Sequence, residues 1–70
     1  MNGAEFIRKI RRLGRKNGLP VDFVALQGKG SHGALYYGGR RTTVKDRRKE
    51  LSKGLLAAMC KQLGIDPREI

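Results

Sequence analysis

Phe6, Ile7, Ile10 and Leu13 recur at the spacing of one helical face, while Arg8, Lys9, Arg11, Arg12, Arg15 and Lys16 fill the others. Asn2 stands where an N-cap belongs. Glu5 occupies the third helical position, which is the capping-box spacing. Asn17-Gly18 is a stop signal, and Pro20 forbids continuation. The pattern predicts a helix from about residue 3 to residue 16. The period then changes. Val21 to Gln27 reads as a strand carried by Phe23, Val24 and Leu26. Gly28-Lys29-Gly30-Ser31-His32-Gly33 breaks regular structure, and Leu35-Tyr36-Tyr37 resumes it as a second strand. Gly38-Gly39 signals a hairpin into a third strand, Thr42-Thr43-Val44.

Two registers fit this hairpin. A two-residue loop pairs Leu35 with Thr42, and a four-residue loop pairs it with Val44. Both put Leu35, Tyr37, Thr42 and Val44 on one face, because strand side chains alternate. Tyr36 and Tyr37 then point to opposite faces, one toward the core and one outward. After a charged connection from Lys45 to Lys53, Ser52 caps a second helix whose apolar face is Leu55, Leu56, Met59, Cys60 and Leu63. Gly64 ends it, with Pro67 beyond. The order is α-β-β-β-α, an α+β chain in which a three-stranded antiparallel sheet buries one face under two helices. No internal repeat, low-complexity tract or linker interrupts residues 1–70, so one domain is expected.

Charge narrows the function. The 70 residues carry 16 Lys+Arg against six Asp+Glu, a net +10, with a sequence pI near 10.7. Such a chain is expected to meet a polyanion, with nucleic acid ahead of an anionic membrane or an acidic protein. A solvated basic surface without a ligand is the bland alternative. No apolar run approaches the roughly 20 residues of a membrane span, and no secretory signal is visible. A single cysteine excludes an internal disulfide framework and a zinc cage of cysteines. These features predict a cytoplasmic protein.

Metal chemistry is unpromising. Glu5, Asp22, Asp46, Glu50, Asp66 and Glu69 are scattered, whereas two-metal phosphodiester cleavage needs converging carboxylates. Asp46 and Glu50, at i,i+4, read as support for neighbouring arginines. No metal or cofactor is expected. Cys60 lies on the apolar stripe of the second helix, where a thiol behaves as a small hydrophobe. His32 is different. It is the only histidine, it edges a glycine-rich loop, and imidazole ordinarily titrates near neutral pH. Lys29, Ser31 and the loop amides are suited to a phosphate. RNA brings its own nucleophile, the 2′-hydroxyl, so a base and cationic stabilisation of the phosphorane go far toward cleaving it. A solvent-exposed histidine without a role is the competing reading.

The string Gly28-Lys29-Gly30-Ser31-His32-Gly33, Leu35-Tyr36-Tyr37-Gly38, Thr42-Thr43-Val44, Lys49-Glu50-Leu51-Ser52-Lys53-Gly54-Leu55-Leu56 and Lys61-Gln62-Leu63-Gly64-Ile65 resembles the HicA toxins of bacterial HicA–HicB modules. The resemblance covers nearly the whole chain. It implies a fold like a double-stranded-RNA-binding domain, which agrees with the α-β-β-β-α order, and an mRNA interferase activity. It assigns the catalytic histidine of the Gly-Ser-His step to His32 and implies a HicB-type antitoxin that neutralises the toxin in a heteromeric complex. Many members carry a proline and a second histidine after the third strand. Here Lys45-Asp46-Arg47-Arg48 stands in that place, so a two-histidine acid–base scheme is lost. A lysine, a water or His32 itself must then protonate the leaving group, and Lys29 is one candidate.

The expected phosphate-binding set is Lys29, Gly30, Ser31, Arg40, Arg41, Lys45, Lys49 and Lys53. Arg40, Arg41 and Lys45 flank the hairpin and third strand, read as a sheet edge leading toward His32. Lys49 and Lys53 lie around the start of the second helix, where fold analogy places phosphate-contacting lysines. Arg8 to Lys16 either track RNA phosphates or form a solvated face. Two rival functions remain open. One is a non-catalytic double-stranded-RNA-binding module of the same fold. The other is a small basic accessory protein for an acidic partner.

Overall fold

The computed structural model describes residues 1–26 and 32–70. Helix α1 spans Gly3–Asn17, strand β1 Val21–Ala25, β2 Gly33–Tyr37, β3 Arg40–Val44, and helix α2 Lys53–Leu63; a short 3-10 turn, Pro67–Glu69, follows. The expected order is therefore the observed one. β1 ends earlier than its sequence pattern suggests. Leu26 falls outside the strand, and Gln27 lies outside the described residues.

The sheet is antiparallel in the order β1-β2-β3. Leu35 pairs with Thr42 and Tyr37 with Arg40, so the two-residue Gly38-Gly39 loop is the one that forms. On the other side, Phe23 pairs with Leu35 and Ala25 with Gly33. Leu35, Tyr37, Thr42 and Val44 all turn inward and are buried. Tyr36, on the opposite face, is half-buried.

Both helices cover this inner face. Phe6 and Ile10 from α1, Leu35 and Val44 from the sheet, and Cys60 and Leu63 from α2 are almost wholly removed from water. Complete burial of such side chains stabilises by about 1.5–3 kcal/mol each, relative to exposure. The two buried polar side chains on the sheet are satisfied. Tyr37 Oη accepts a hydrogen bond from Asn17 Nδ2 at 2.9 Å, and Thr42 Oγ1 donates to Gln62 Oε1 at 2.5 Å. These bonds tie the C-terminal turns of α1 and α2 to the sheet.

The helix ends follow the sequence closely. Asn2 and Glu5 form a reciprocal capping box, with Glu5 N donating to Asn2 Oδ1 at 2.9 Å and Asn2 N to Glu5 Oε1 at 3.2 Å. Ser52 Oγ accepts from Leu55 N at 3.2 Å, and Gly18 and Gly64 close the helices in left-handed conformation. One apolar residue departs from its expected place. Leu55 was expected on the buried face of α2, yet it is 44% exposed. Met59, Cys60 and Leu63 fill the seam against the sheet, and Leu55 lies one turn earlier, facing a cleft.

Leu35 sits at the centre of this packing. Leu35→Ala is expected to lower stability by about 2–5 kcal/mol. The exposed Arg8→Ala should change it by less than about 0.5 kcal/mol. Urea unfolding of both variants checks the contrast.

Candidate active site

The segment from Lys45 to Leu51 carries most of the charged side chains around His32, and helix α1 holds it in place. The first N–H groups of a helix have no partner within it. Here Gly3 N donates to Lys49 O at 3.3 Å and Ala4 N to Arg47 O at 2.9 Å. Leu51 N returns a bond to Met1 O at 2.8 Å, and Asn2 bridges Glu50 as a single antiparallel pair. The approach is close at Gly3, where an added Cβ would lie 2.9 Å from Arg47 Cα. Asp46 shapes the segment from within, its Oδ1 accepting from Arg48 N at 2.9 Å.

A second set of contacts joins this segment to His32. The Arg47 guanidinium lies 5.2 Å from the centroid of the Phe23 ring, a cation–π distance. The same ring covers Gly33, the residue after His32. A Cβ there would fall 2.2 Å from Phe23 Cζ. Glycine is therefore required at 33 by the space the ring occupies. His32 is fixed on its other side by its carbonyl, which accepts from Leu26 N at 3.0 Å. Its side chain is half-buried.

Between these parts lies an open cleft of about 590 Å³. His32, Thr43 and Lys45 bound it at the end of the sheet, since Gly33 and Val44 are register partners. Asp46, Arg48, Lys49 and Glu50 form its polar wall. Leu51, Leu55 and Met59 form an apolar floor. Arg48 Nε lies 3.8 Å from Asp46 Oδ1, so one carboxylate is engaged within the wall. Glu50 and the exposed Lys45 and Lys49 complete a rim on which cations outnumber acids. Among the described residues, no three His, Cys, Asp or Glu side chains come together as a metal-binding group.

The candidate residues of the sequence divide accordingly. His32, Lys45 and Lys49 share the cleft. Lys53 is the exposed first residue of α2 and does not line it. Arg40 and Arg41 stand at the hairpin end of β3, opposite Tyr37 and Tyr36. At about 3.3 Å per strand residue they lie roughly 13–17 Å along the sheet from His32. β3 is an edge strand that runs from these two residues toward His32, and only its far end, at Thr43 and Lys45, reaches the cleft. The hairpin turns between Tyr37 and Arg40, whereas His32 precedes the other end of β2. Lys29, Gly30 and Ser31 lie outside the described residues. Arg48, Leu51, Leu55 and Met59 were not singled out as site residues. The i,i+4 spacing of Leu51, Leu55 and Met59 was the available signal for the floor.

Cys60 is buried between α2 and the sheet and takes no part in the cleft. Burial, and secondarily the Asp66 charge, raise its thiol above the ordinary cysteine range. It remains a protonated core residue.

The family model described as HicA toxin of bacterial toxin-antitoxin matches residues 3–65. The chain belongs to the HicA toxin family. No curated protein and no solved structure matches it. The HicA match takes in α1, the whole sheet, α2 and every cleft residue named above. Membership in a toxin–antitoxin family implies an antitoxin partner for this HicA chain. Among the described residues, no helix is long and apolar enough to cross a membrane.

The Phe23–Gly33 contact generates a stability prediction for this HicA chain. Gly33→Ala should cost about 1–3 kcal/mol through overpacking. Adding Phe23→Leu should cost less in that background than in the native one, as a double-mutant cycle in urea will read. Cys60 gives another. Its reaction with a thiol reagent should be slow in buffer and fast in denaturant. Equal rates would contradict its burial.

Proposed function

We propose that this toxin is a metal-independent endoribonuclease, an mRNA interferase acting in the cytoplasm. The observation that carries the reading is the cleft that gathers His32 with Lys45, Arg48 and Lys49 on a chain of net charge +10. The cations draw in and hold the phosphate backbone. His32, as general base, takes the proton of a ribose 2′-hydroxyl. The freed oxygen attacks the adjacent phosphorus, the bond to the 5′-oxygen breaks, and that oxygen leaves with a proton. The products are a 2′,3′-cyclic phosphate and a 5′-hydroxyl. Lysine and arginine donors stabilise the charge that grows on the phosphorane. Lys29, Gly30 and Ser31 are assigned to the scissile phosphate by their place in the glycine-rich loop beside His32. Arg40, Arg41 and Lys53 extend the basic surface along the flanking RNA.

The leaving oxygen's proton comes from a lysine, a water or His32 itself, because the position of the family's second histidine is occupied by Lys45-Asp46-Arg47-Arg48. A HicB-type antitoxin is the expected partner. To cover a cleft with this rim it should be acidic, and a neutral or basic product of the adjacent gene would count against such a cover. The competing reading is a double-stranded-RNA-binding module without turnover. It is favoured by the position of Lys53 at the start of α2, where a helix N-terminus assists phosphate binding.

Turnover separates the two. Purified chain in excess EDTA should cut single-stranded mRNA and leave cyclic-phosphate ends. His32→Ala should be slower by about 10²–10⁴-fold while still binding RNA. Cleavage by both proteins alike would remove His32 from the mechanism, and binding without cleavage by either would favour the module. RNA affinity should also fall steeply between 50 and 200 mM salt, by roughly 10³-fold or more if six or more phosphates are contacted.

A further inference from the structure

The floor of the cleft is not explained by phosphate binding. Met59 and Leu55, at i,i+4, continue the core ridge of α2 toward its first turn, and Leu51, just before the Ser52 cap, lines the same cleft. Met59 is buried, Leu51 half-buried and Leu55 44% exposed. An isolated exposed leucine on a surface is ordinary. This one lies inside a concavity of about 590 Å³, beneath a rim carrying Lys45, Arg48 and Lys49. An apolar floor under a cationic rim fits a ligand with a flat apolar face and a negative charge joined to it.

Resting on the ribonuclease reading above, we infer that the Leu55 floor is a nucleobase site, seating an unpaired base of the RNA beside the linkage whose 2′-hydroxyl His32 deprotonates. The charge of the rim argues for a nucleotide as occupant over an uncharged apolar ligand. A base stacked within a duplex offers only its edges to a protein, and its faces are covered by its neighbours. Occupation of the floor therefore requires the strand to be single at the cut. Duplex RNA would reach the rim with its phosphates and leave Leu55 bare. The floor acts as a specificity determinant, selecting single-stranded from double-stranded substrate. Apolar contact reads a base face without hydrogen bonds, so it discriminates weakly among the four bases.

The chain contains no tryptophan, so Leu55→Trp introduces a unique reporter at an exposed position. The probes are a single-stranded oligoribonucleotide blocked by 2′-O-methyl groups, the same strand annealed into a duplex, and inorganic polyphosphate, which has charge and no bases. The expected result is tryptophan quenching by the single strand alone. In the native background, Leu55→Ala should weaken single-strand binding by about tenfold, as loss of a largely buried leucine contact implies. Its polyphosphate binding should stay unchanged. Quenching by the duplex to the same extent, or equal losses for single strand and polyphosphate, would overturn the base site and leave the ribonuclease reading standing. If native chain neither binds nor cuts RNA, both fall together.

Discussion

Everything at the cleft depends on how the first turn of α1 meets the segment before α2. Two helix N–H groups that would otherwise lack partners donate to the carbonyls of Arg47 and Lys49, and Gly3 permits the approach because it has no side chain. The loop that bears Lys45, Arg48 and Lys49 is thereby held by main-chain bonds to a rigid helix. From there Arg47 reaches the Phe23 ring, the ring covers Gly33, and Gly33 sets the start of the strand behind His32. Helix, loop, sheet and histidine form one continuous series of contacts. A change at Gly3 should thus be felt at His32 without touching it.

This arrangement suits a chain of 70 residues. A domain of this size has a small core and little room for a deep, enclosed pocket. RNA cleavage through the 2′-hydroxyl asks less of the protein than most hydrolytic reactions, since the nucleophile is intramolecular. What remains is to bring in a polyanion, position one base and stabilise charge at phosphorus. On the ribonuclease reading proposed above, a net charge of +10, one histidine and a row of lysines and arginines supply these needs. The same charge makes an acidic inhibitory partner a natural counterpart in a toxin–antitoxin pair.

Most of the fold was legible in the sequence because local signals agreed with one another. The capping box at Asn2 and Glu5, the stops at Gly18 and Gly64 and the inward set Leu35, Tyr37, Thr42 and Val44 are all realised. The hairpin register was undetermined because strand alternation is identical for loops of two and four residues; the cross-strand pairing Leu35–Thr42 selects the shorter one. The site was less legible. Periodicity put Leu55 with the core, but helical spacing alone cannot tell a buried ridge from its exposed end. Arg40 and Arg41 were grouped with His32 through their strand, and the antiparallel turn carries them to the opposite end. The link from Gly3 to Lys49 spans most of the chain, and no local pattern reports such a contact.

The most direct test of the chemistry is the fate of an RNA in which a single cleaved linkage has lost its 2′-hydroxyl. Mass spectrometry of the products in EDTA reads the outcome linkage by linkage. Nucleophilic attack by the ribose predicts that the deoxy linkage survives while its neighbours are still cut to cyclic-phosphate ends. Cleavage at the deoxy linkage would contradict that account, because the attacking oxygen would then have to come from water.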